Sequence, residues 1–261
     1  RRDGVFDISR AFPTMRDLCE ADDPAAAVAP ADAEHVGDLG GILANSHEAR
    51  RDAGRPWLLA PVDLQAIKAA GVTFAISLLE RVIEEQARGV PERAAQARAD
   101  VERALGGAVE KIKPGSPQAM ELKKVLQDKG LWSQYLEVGI GPDAEIFTKA
   151  QPMSAVGTGA AIGVLKSSTW NNPEPEVVVV VSSRGEIVGA SLGNDVNLRD
   201  LEGRSALLLG KSKDNNASTA IGPFIRLFDK TFSLDDVRRA QVRLTVKGAD
   251  GFVLDGSSDL G

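Results

Sequence analysis

The sequence predicts an α+β fold, a β-rich roll or sandwich with an inserted helical segment and a small N-terminal domain. Three observations carry this expectation. From Leu131 onward, β-branched and alternating segments dominate. Between about 76 and 130 the apolar residues recur with helical spacing. Residues 1–60 are mixed in character and precede a soft boundary near residue 60. The strands of the second half have no regular helices between them, which argues against a doubly wound sheet.

Within residues 1–60, Gly4-Val5-Phe6-Asp7-Ile8 reads as a strand and Thr14 to Glu20 as a short helix capped by Thr14. The Ala/Pro-rich stretch from Ala25 to Ala33 reads as a surface loop. Trp57-Leu58-Leu59-Ala60-Pro61-Val62 reads as a strand opening the second domain, residues 61–261. In the helical segment, Ile76, Leu79, Val82 and Ile83 share a face, with Glu80, Arg81, Glu84 and Glu85 between them. Pro91 opens a second helix that runs through Leu105 to Gly106-Gly107. Ser116-Pro117 opens a third, with Leu122, Val125 and Leu126 on one face, ending at Gly130.

Further on, Leu136-Glu137-Val138-Gly139-Ile140 alternates as a strand does, and Ala144 to Thr148 is a short strand. Val177 to Val181 and Glu186 to Ala190, joined by Ser-Ser-Arg-Gly, make a hairpin. Val242 to Lys247 reads as a half-buried strand. The chain begins Arg1-Arg2-Asp3 without Met and ends at Gly261, soon after the strand-like Phe252-Val253-Leu254. A fragment or trimmed chain whose last strand has no partner is therefore expected.

Composition narrows the function. A net charge of -6 disfavours nucleic acid and anionic lipid, which reward a basic face. No apolar run approaches the roughly 18 residues of a membrane span. Cys19 is the sole cysteine, so no intramolecular disulfide forms and a reducing cytoplasm is the expected compartment. A homo-oligomer is expected. Both histidines, His35 and His47, lie in the first fifth of the chain, far in sequence from every later motif. An active site built from those motifs must use carboxylates, lysine and a hard metal.

The most informative stretch is Trp170-Asn171-Asn172-Pro173-Glu174-Pro175-Glu176. Residues two apart on an extended chain point the same way, with Cα atoms about 6.5–7 Å apart. The prolines keep the segment extended. Glu174 and Glu176 then present two aligned carboxylates, which are costly unless a cation or solvent separates their charge. The pair fits a metal site and also a solvated strand start. Gly193-Asn194-Asp195 reads as a turn that sets a short carboxylate at a strand end, as a metal ligand or a turn cap. Three carboxylates completed by water suit Mg²⁺. The segment from Gly210 to Pro223 carries Lys211 and Lys213 but lacks the glycine spacing of a P-loop, and reads as a loop lining a polar cavity or an exposed basic loop. A lysine beside a metal and apolar walls can have its pKa lowered enough to act as a base.

The order Glu145, Glu174-Pro175-Glu176, Gly193-Asn194-Asp195, Lys213 and Ile221-Gly222-Pro223 resembles the fumarylacetoacetate hydrolase superfamily, from about residue 57 to the end. Gly71-Val72-Thr73-Phe74, Leu131 to Tyr135, Trp170 to Asn172, Asn194 to Asp200 and Lys213 to Asn216 narrow the resemblance to its 2-keto-3-deoxy-pentonate dehydratases, in particular those acting on 2-keto-3-deoxy-D-xylonate. The resemblance implies Mg²⁺ (or Mn²⁺) on Glu174, Glu176 and Asp195, with Lys213 and Glu145 as catalytic groups. It implies conversion of the sugar acid to 2,5-dioxopentanoate in non-phosphorylated pentose catabolism. Thr73, Ser77, Arg81 and Thr219 are candidates for binding the substrate's carboxylate and hydroxyls, although Arg81 also suits an ion pair with Glu84 or Glu85. The superfamily's carbon-carbon hydrolases carry a water-activating His that is missing from Gly71 to Glu85 here, which favours dehydration. The family's C-terminal Gly-Thr substrate loop is also missing. The alternatives are an acylpyruvate hydrolase or oxaloacetate decarboxylase of the same superfamily, or a non-catalytic metal-binding module.

Overall fold

The computed structural model describes residues 4–29, 31–71, 96, 98–99, 103, 112–202 and 204–260. Helices and small sheets are mixed. The chain forms two compact units, one of Arg1–Ile67 with Thr148–Gly261, the other of Lys68–Phe147. It leaves the first within strand β3 (Ile67–Ala70) and returns within β4 (Ile146–Ala150).

The larger unit is organised by a three-stranded antiparallel sheet in the order β6 (Pro175–Val181), β7 (Ile187–Asp195), β9 (Thr219–Leu227). The five valines of β6 favour strand because branched side chains pack well on a pleated surface. Val180 and Val188 turn inward onto Cys19, with Ile225 packed against them. Val179, Val181, Leu192 and Phe224 are exposed. Cys19 ends helix α1 (Met15–Cys19), where the Thr14 side chain accepts from Asp17 N and the Asp17 side chain accepts from Thr14 N. Glu20, just beyond, accepts bonds from Ser183 N and Oγ at the hairpin tip, which ties α1 to β6–β7.

Several expectations are corrected. The stretch read as a loop from Ala25 contains helix α2 (Pro24–Val28), capped by Asp23 with proline in the first turn. Helix α3 (Leu39–Asn45), capped by Asp38, was not anticipated either. Trp57 to Val62 lies in no strand. The backbone just before it is served by a side chain instead, as Asn45 Nδ2 donates to the carbonyls of Asp52, Arg55 and Pro56 at 3.0 Å each. β4 begins at Ile146, two residues later than expected. In the larger unit, β10 (Gln241–Lys247) and β11 (Val253–Asp259) pair antiparallel along their whole length, so the last strand has a partner.

In the smaller unit, α4 (Pro117–Asp128) is capped by Ser116 as expected, but only Leu126 of its anticipated apolar face is buried and Val125 is exposed. The supposed strand from Leu136 is helix α5 (Gln134–Ile140). Ser133 caps it, and Leu136 and Ile140, four apart, are its buried stripe. The apolar residues at 136, 138 and 140 fit both periods, and the cap decides. The helix face at Ile76, Leu79, Val82 and Ile83 lies outside the described residues. Of the helix from Pro91 to Leu105, residues 96, 98, 99 and 103 are described, and all are helical. Among the described residues no helix is long and apolar enough to cross a membrane.

Gly157 marks where the backbone near residue 59 comes closest. A Cβ there would lie 2.4 Å from the Leu59 carbonyl carbon, a backbone atom that cannot swing away. Gly157→Ala is expected to destabilise by about 1–3 kcal/mol, the usual range for overpacking, as measured by urea denaturation. Gly210→Ala, whose Cβ would meet nothing within 4 Å, is the control and should be neutral or mildly stabilising.

Candidate metal centre

Register builds the centre. On β6 and β7, Pro175 faces Asn194 and Glu176 faces Gly193. On β7 and β9, Asp195 faces Thr219. Asp195 N donates to Glu174 O at 2.9 Å, and Glu174 N donates to the Asn194 side chain at 3.0 Å. The strand start and the strand end are thereby locked together. Asn194 and Asp195 are the last residues of β7, not a turn as anticipated, so ladder bonds fix the carboxylate. Carboxylate oxygens of Glu174, Glu176 and Asp195 come within 4.8 Å of one another.

Two ammonium groups meet this cluster. Lys213 Nζ is 2.5 Å from Glu174 Oε2 and 3.1 Å from Asp195 Oδ2. It stands on helix α7 (Leu209–Lys213), within the segment expected to be a loop. Helical geometry buries Lys213 and leaves Lys211 exposed, whereas an extended loop would have turned both the same way. The other ammonium belongs to Lys149 on β4, which is 1% exposed. Its Nζ lies 3.1 Å from Asp195 Oδ1 and donates to the carbonyls of Val196 and Lys213 at 2.8 and 2.6 Å.

Asn197 Nδ2 completes the surround, donating to Glu174 Oε1 at 3.1 Å and to Glu202 Oε2. Asn197 sits on the two-residue strand β8 (Asn197–Leu198), paired with β5 (Asn171–Asn172). The amide orients one oxygen of Glu174 while Lys213 takes the other.

Burial governs the charges. It pushes the Glu176 carboxyl up to about 7, and the neighbouring Asp195 and Glu174 push the same way against Lys213 and Lys149. Burial lowers Lys149 below the ordinary lysine value despite Asp195. Burial also disfavours the charge of Lys213, but Glu174 and Asp195 outweigh it and the amine is raised. Of the two buried lysines beside the carboxylates, Lys149 and not Lys213 is the one lowered.

These residues fit a hard divalent ion. The donor set is all oxygen. Asp195 Oδ1 is buried without a hydrogen-bond donor, although it is ion-paired. Burial and the neighbouring carboxylates favour the protonated form of Glu176, and a divalent cation would favour the ionised form. Thr219 Oγ1 and Asn197 Oδ1 are also buried without hydrogen-bond partners, so Thr219 has an unused hydroxyl across the ladder from Asp195. Glu145 lies in the smaller unit, where a Cβ on Gly71 would fall on its carboxylate. Thr73, Ser77 and Arg81 lie outside the described residues.

No family model matches the chain. It is 35% identical over 139 residues to the "Probable 2-keto-3-deoxyxylonate dehydratase" of Haloferax volcanii, covering 53% of this chain and 45% of that one. It is 45% identical over 94 residues to the 2-dehydro-3-deoxy-D-arabinonate dehydratase of Saccharolobus solfataricus, covering 35% and 32%. Over these stretches the chain is similar to 2-keto-3-deoxy sugar-acid dehydratases. The match takes in less than half the length of either relative. The fold is shared with a solved 2-keto-3-deoxy-D-arabinonate dehydratase complexed with magnesium and 2,5-dioxopentanoate, at TM-score 0.59 and 22% identity over 88% of this chain and 61% of that one. The resemblance to the 2-keto-3-deoxy-pentonate dehydratases is thereby borne out.

Sequence reasoning missed Lys149 and gave Asn197 no role. The signal for Lys149 was slight, a lone lysine ending the strand-like Ile-Phe-Thr. Asn197 stood inside a quoted motif without a hint that its amide faces two carboxylates.

The pH dependence follows from Glu176. Its folded pKa is raised from 4.5 to about 7, so the unfolded state releases this proton first. Stability of the metal-free protein therefore falls across that interval as pH rises. A divalent ion needs the carboxylate ionised, so the increase in Tm caused by Mg²⁺ should be larger at about pH 8 than at about pH 6. Glu176→Gln should abolish that increase and leave the metal-free protein folded. Differential scanning fluorimetry at the two pH values checks both, and a shift independent of pH would remove Glu176 from the ligand set.

Proposed function

We propose that this chain forms part of a Mg²⁺-dependent hydro-lyase that converts 2-keto-3-deoxy-D-xylonate to 2,5-dioxopentanoate and water in the catabolism of pentose acids. The observation that carries the reading is the Glu174–Glu176–Asp195 cluster with Lys213 held against it, in a chain related to dehydratases. The two curated relatives bear different sugar names, yet in the D series these describe one compound. Xylonate and arabinonate differ at C2 and C3, and both centres vanish when C2 becomes a carbonyl and C3 a methylene. C4 is the one stereocentre left to recognise.

When bound, the ion supplies Lewis-acid polarisation of the 2-carbonyl and a counter-charge for the carboxylate. Lys213, kept charged by Glu174 and Asp195, is proposed to protonate the C4 hydroxyl as it departs as water. Glu145 is proposed as the second proton-transfer group, on the strength of the family resemblance, and takes the C3 proton. Transfer of a proton from C5 to C3 then gives the C4–C5 enol, which becomes the C5 aldehyde on protonation at C4. Thr219 is proposed to bind a substrate hydroxyl or carboxylate oxygen through its unused hydroxyl, and Thr73, Ser77 and Arg81 are proposed for the same task. Mn²⁺ is the proposed substitute ion. A cytoplasmic homo-oligomer without nucleic-acid or membrane partners is part of the same proposal.

The proposed organisation is a β-rich catalytic domain of the fumarylacetoacetate hydrolase type over residues 61–261, with a helical insert at about 76–130 and a small N-terminal domain over 1–60. Helix α4 supports the insert. The bonds from Ser183 to Glu20 support an N-terminal part that packs on the catalytic part.

The test is a panel of 2-keto-3-deoxy acids given to the full-length protein with and without EDTA, reading aldehyde through an NAD-dependent semialdehyde dehydrogenase. The D-pentonate should be consumed and EDTA should stop it, whereas faster cleavage of an acylpyruvate would overturn the reading. Lys213→Met should bind metal normally and lose about 10²-fold or more in kcat, as expected for a lost proton-transfer group. Lys211→Met should cost far less.

A further inference from the structure

We propose that Lys149 is a positioning residue, a buried cation that clamps the metal-ligand strand to the end of helix α7 and so fixes the amine of Lys213. The clamp is read from its partners. Lys149 Nζ reaches Asp195 Oδ1, the Val196 carbonyl, the Lys213 carbonyl and, at 3.3 Å, Ser218 Oγ. Those atoms belong to the end of β7, the C-terminus of α7 and the turn before β9. Lys213 is the last residue of a five-residue helix, and its carbonyl is one that the helix itself leaves without a donor. Lys149, Ser218 Oγ and, at 3.2 Å, Asn215 N supply donors there, Lys149 at the shortest distance. At the other end of the same residue, the amine is aimed at Glu174 and Asp195.

Stability alone does not account for this lysine. Desolvating an ammonium costs several kcal/mol, and well-packed apolar replacements of buried charges are often neutral or stabilising. The charge also opposes the divalent ion that Asp195 would help to hold. A group that disfavours the metal, yet grips both Asp195 and the backbone of Lys213, has geometry as its benefit. Lys149 acts through Lys213 and touches no reacting atom. The inference rests on the proposed function for its kinetic consequences, while two of its readouts need no substrate.

The experiment uses the full-length protein with Lys149→Met, Lys149→Gln, Lys213→Met and the double variant Lys149→Met/Lys213→Met. Turnover in Lys149→Met should fall about tenfold or more with KM within about threefold. The Mg²⁺ midpoint should be unchanged or tighter, because a like charge beside Asp195 has gone. Lys213 should be acylated faster by acetic anhydride, read by mass spectrometry, with exposed Lys211 as the internal reference. Adding Lys149→Met to Lys213→Met should cost little more in kcat, since the two act in series. Wild-type turnover in Lys149→Met, or weakening of the Mg²⁺ midpoint in step with kcat, would overturn the proposal. So would unchanged acylation of Lys213, or failure of both Lys149 variants to fold, which would make the residue a scaffold element. Should the wild type consume no 2-keto-3-deoxy acid, the functional reading falls, and the midpoint and acylation still decide the clamp.

Discussion

Everything at the centre depends on the pairing of β6 with β7. Because side chains alternate along a strand, a slip of one residue would send Glu176 to the opposite face and part it from Asp195. The Asn194 side chain guards against that slip by accepting from Glu174 N, a bond available in one register. Gly193, across from Glu176, has the same effect by another route. A Cβ there would come 2.5 Å from Val178 Cγ2, on a branched side chain with little freedom.

Once the register is set, charge becomes the governing quantity. Three carboxylates share a small space with two ammonium groups, which do not fully neutralise them. Lys213 takes one oxygen of Glu174 and one of Asp195, Lys149 faces the other oxygen of Asp195, and Asn197 takes the other oxygen of Glu174. Burial, together with Asp195 and Glu174, raises the pKa of Glu176 against the pull of both lysines. With both lysines charged and Glu176 ionised, the five side chains carry one surplus negative charge. A divalent ion turns the surplus positive, and a monoanionic carboxylic acid brings it to zero. Metal and substrate would each favour the other in such a place.

The three clustered carboxylates were legible because the information was local. Glu-x-Glu between prolines, a valine run and a following Asn-Asp set three carboxylates on one hairpin with little help from distant chain. Lys149 was not legible, because its role is defined by carbonyls at 196 and 213 that no local pattern points to. The same divide explains the fold. The helices capped by Thr14 and Ser116 and the strands at Val177 and Val242 announced themselves through caps and branched residues. The residues after Leu136 were misread because a short apolar alternation also suits a helix, and the Ser133 cap was the clue that separated the two. Trp57 to Val62 had strand-like residues, but among the described residues no strand pairs with them, and strand formation requires a partner.

All three carboxylates come from one continuous stretch, residues 174–195, whose far end is the Ser182–Gly185 tip. A site of this kind travels as a cassette. Its ligands keep their spacing wherever the hairpin goes, and the tip can lengthen, shorten or acquire new partners without disturbing them. The lysines and hydroxyls around such a cassette could be exchanged, and the chemistry beside it altered, without moving the three carboxylates themselves.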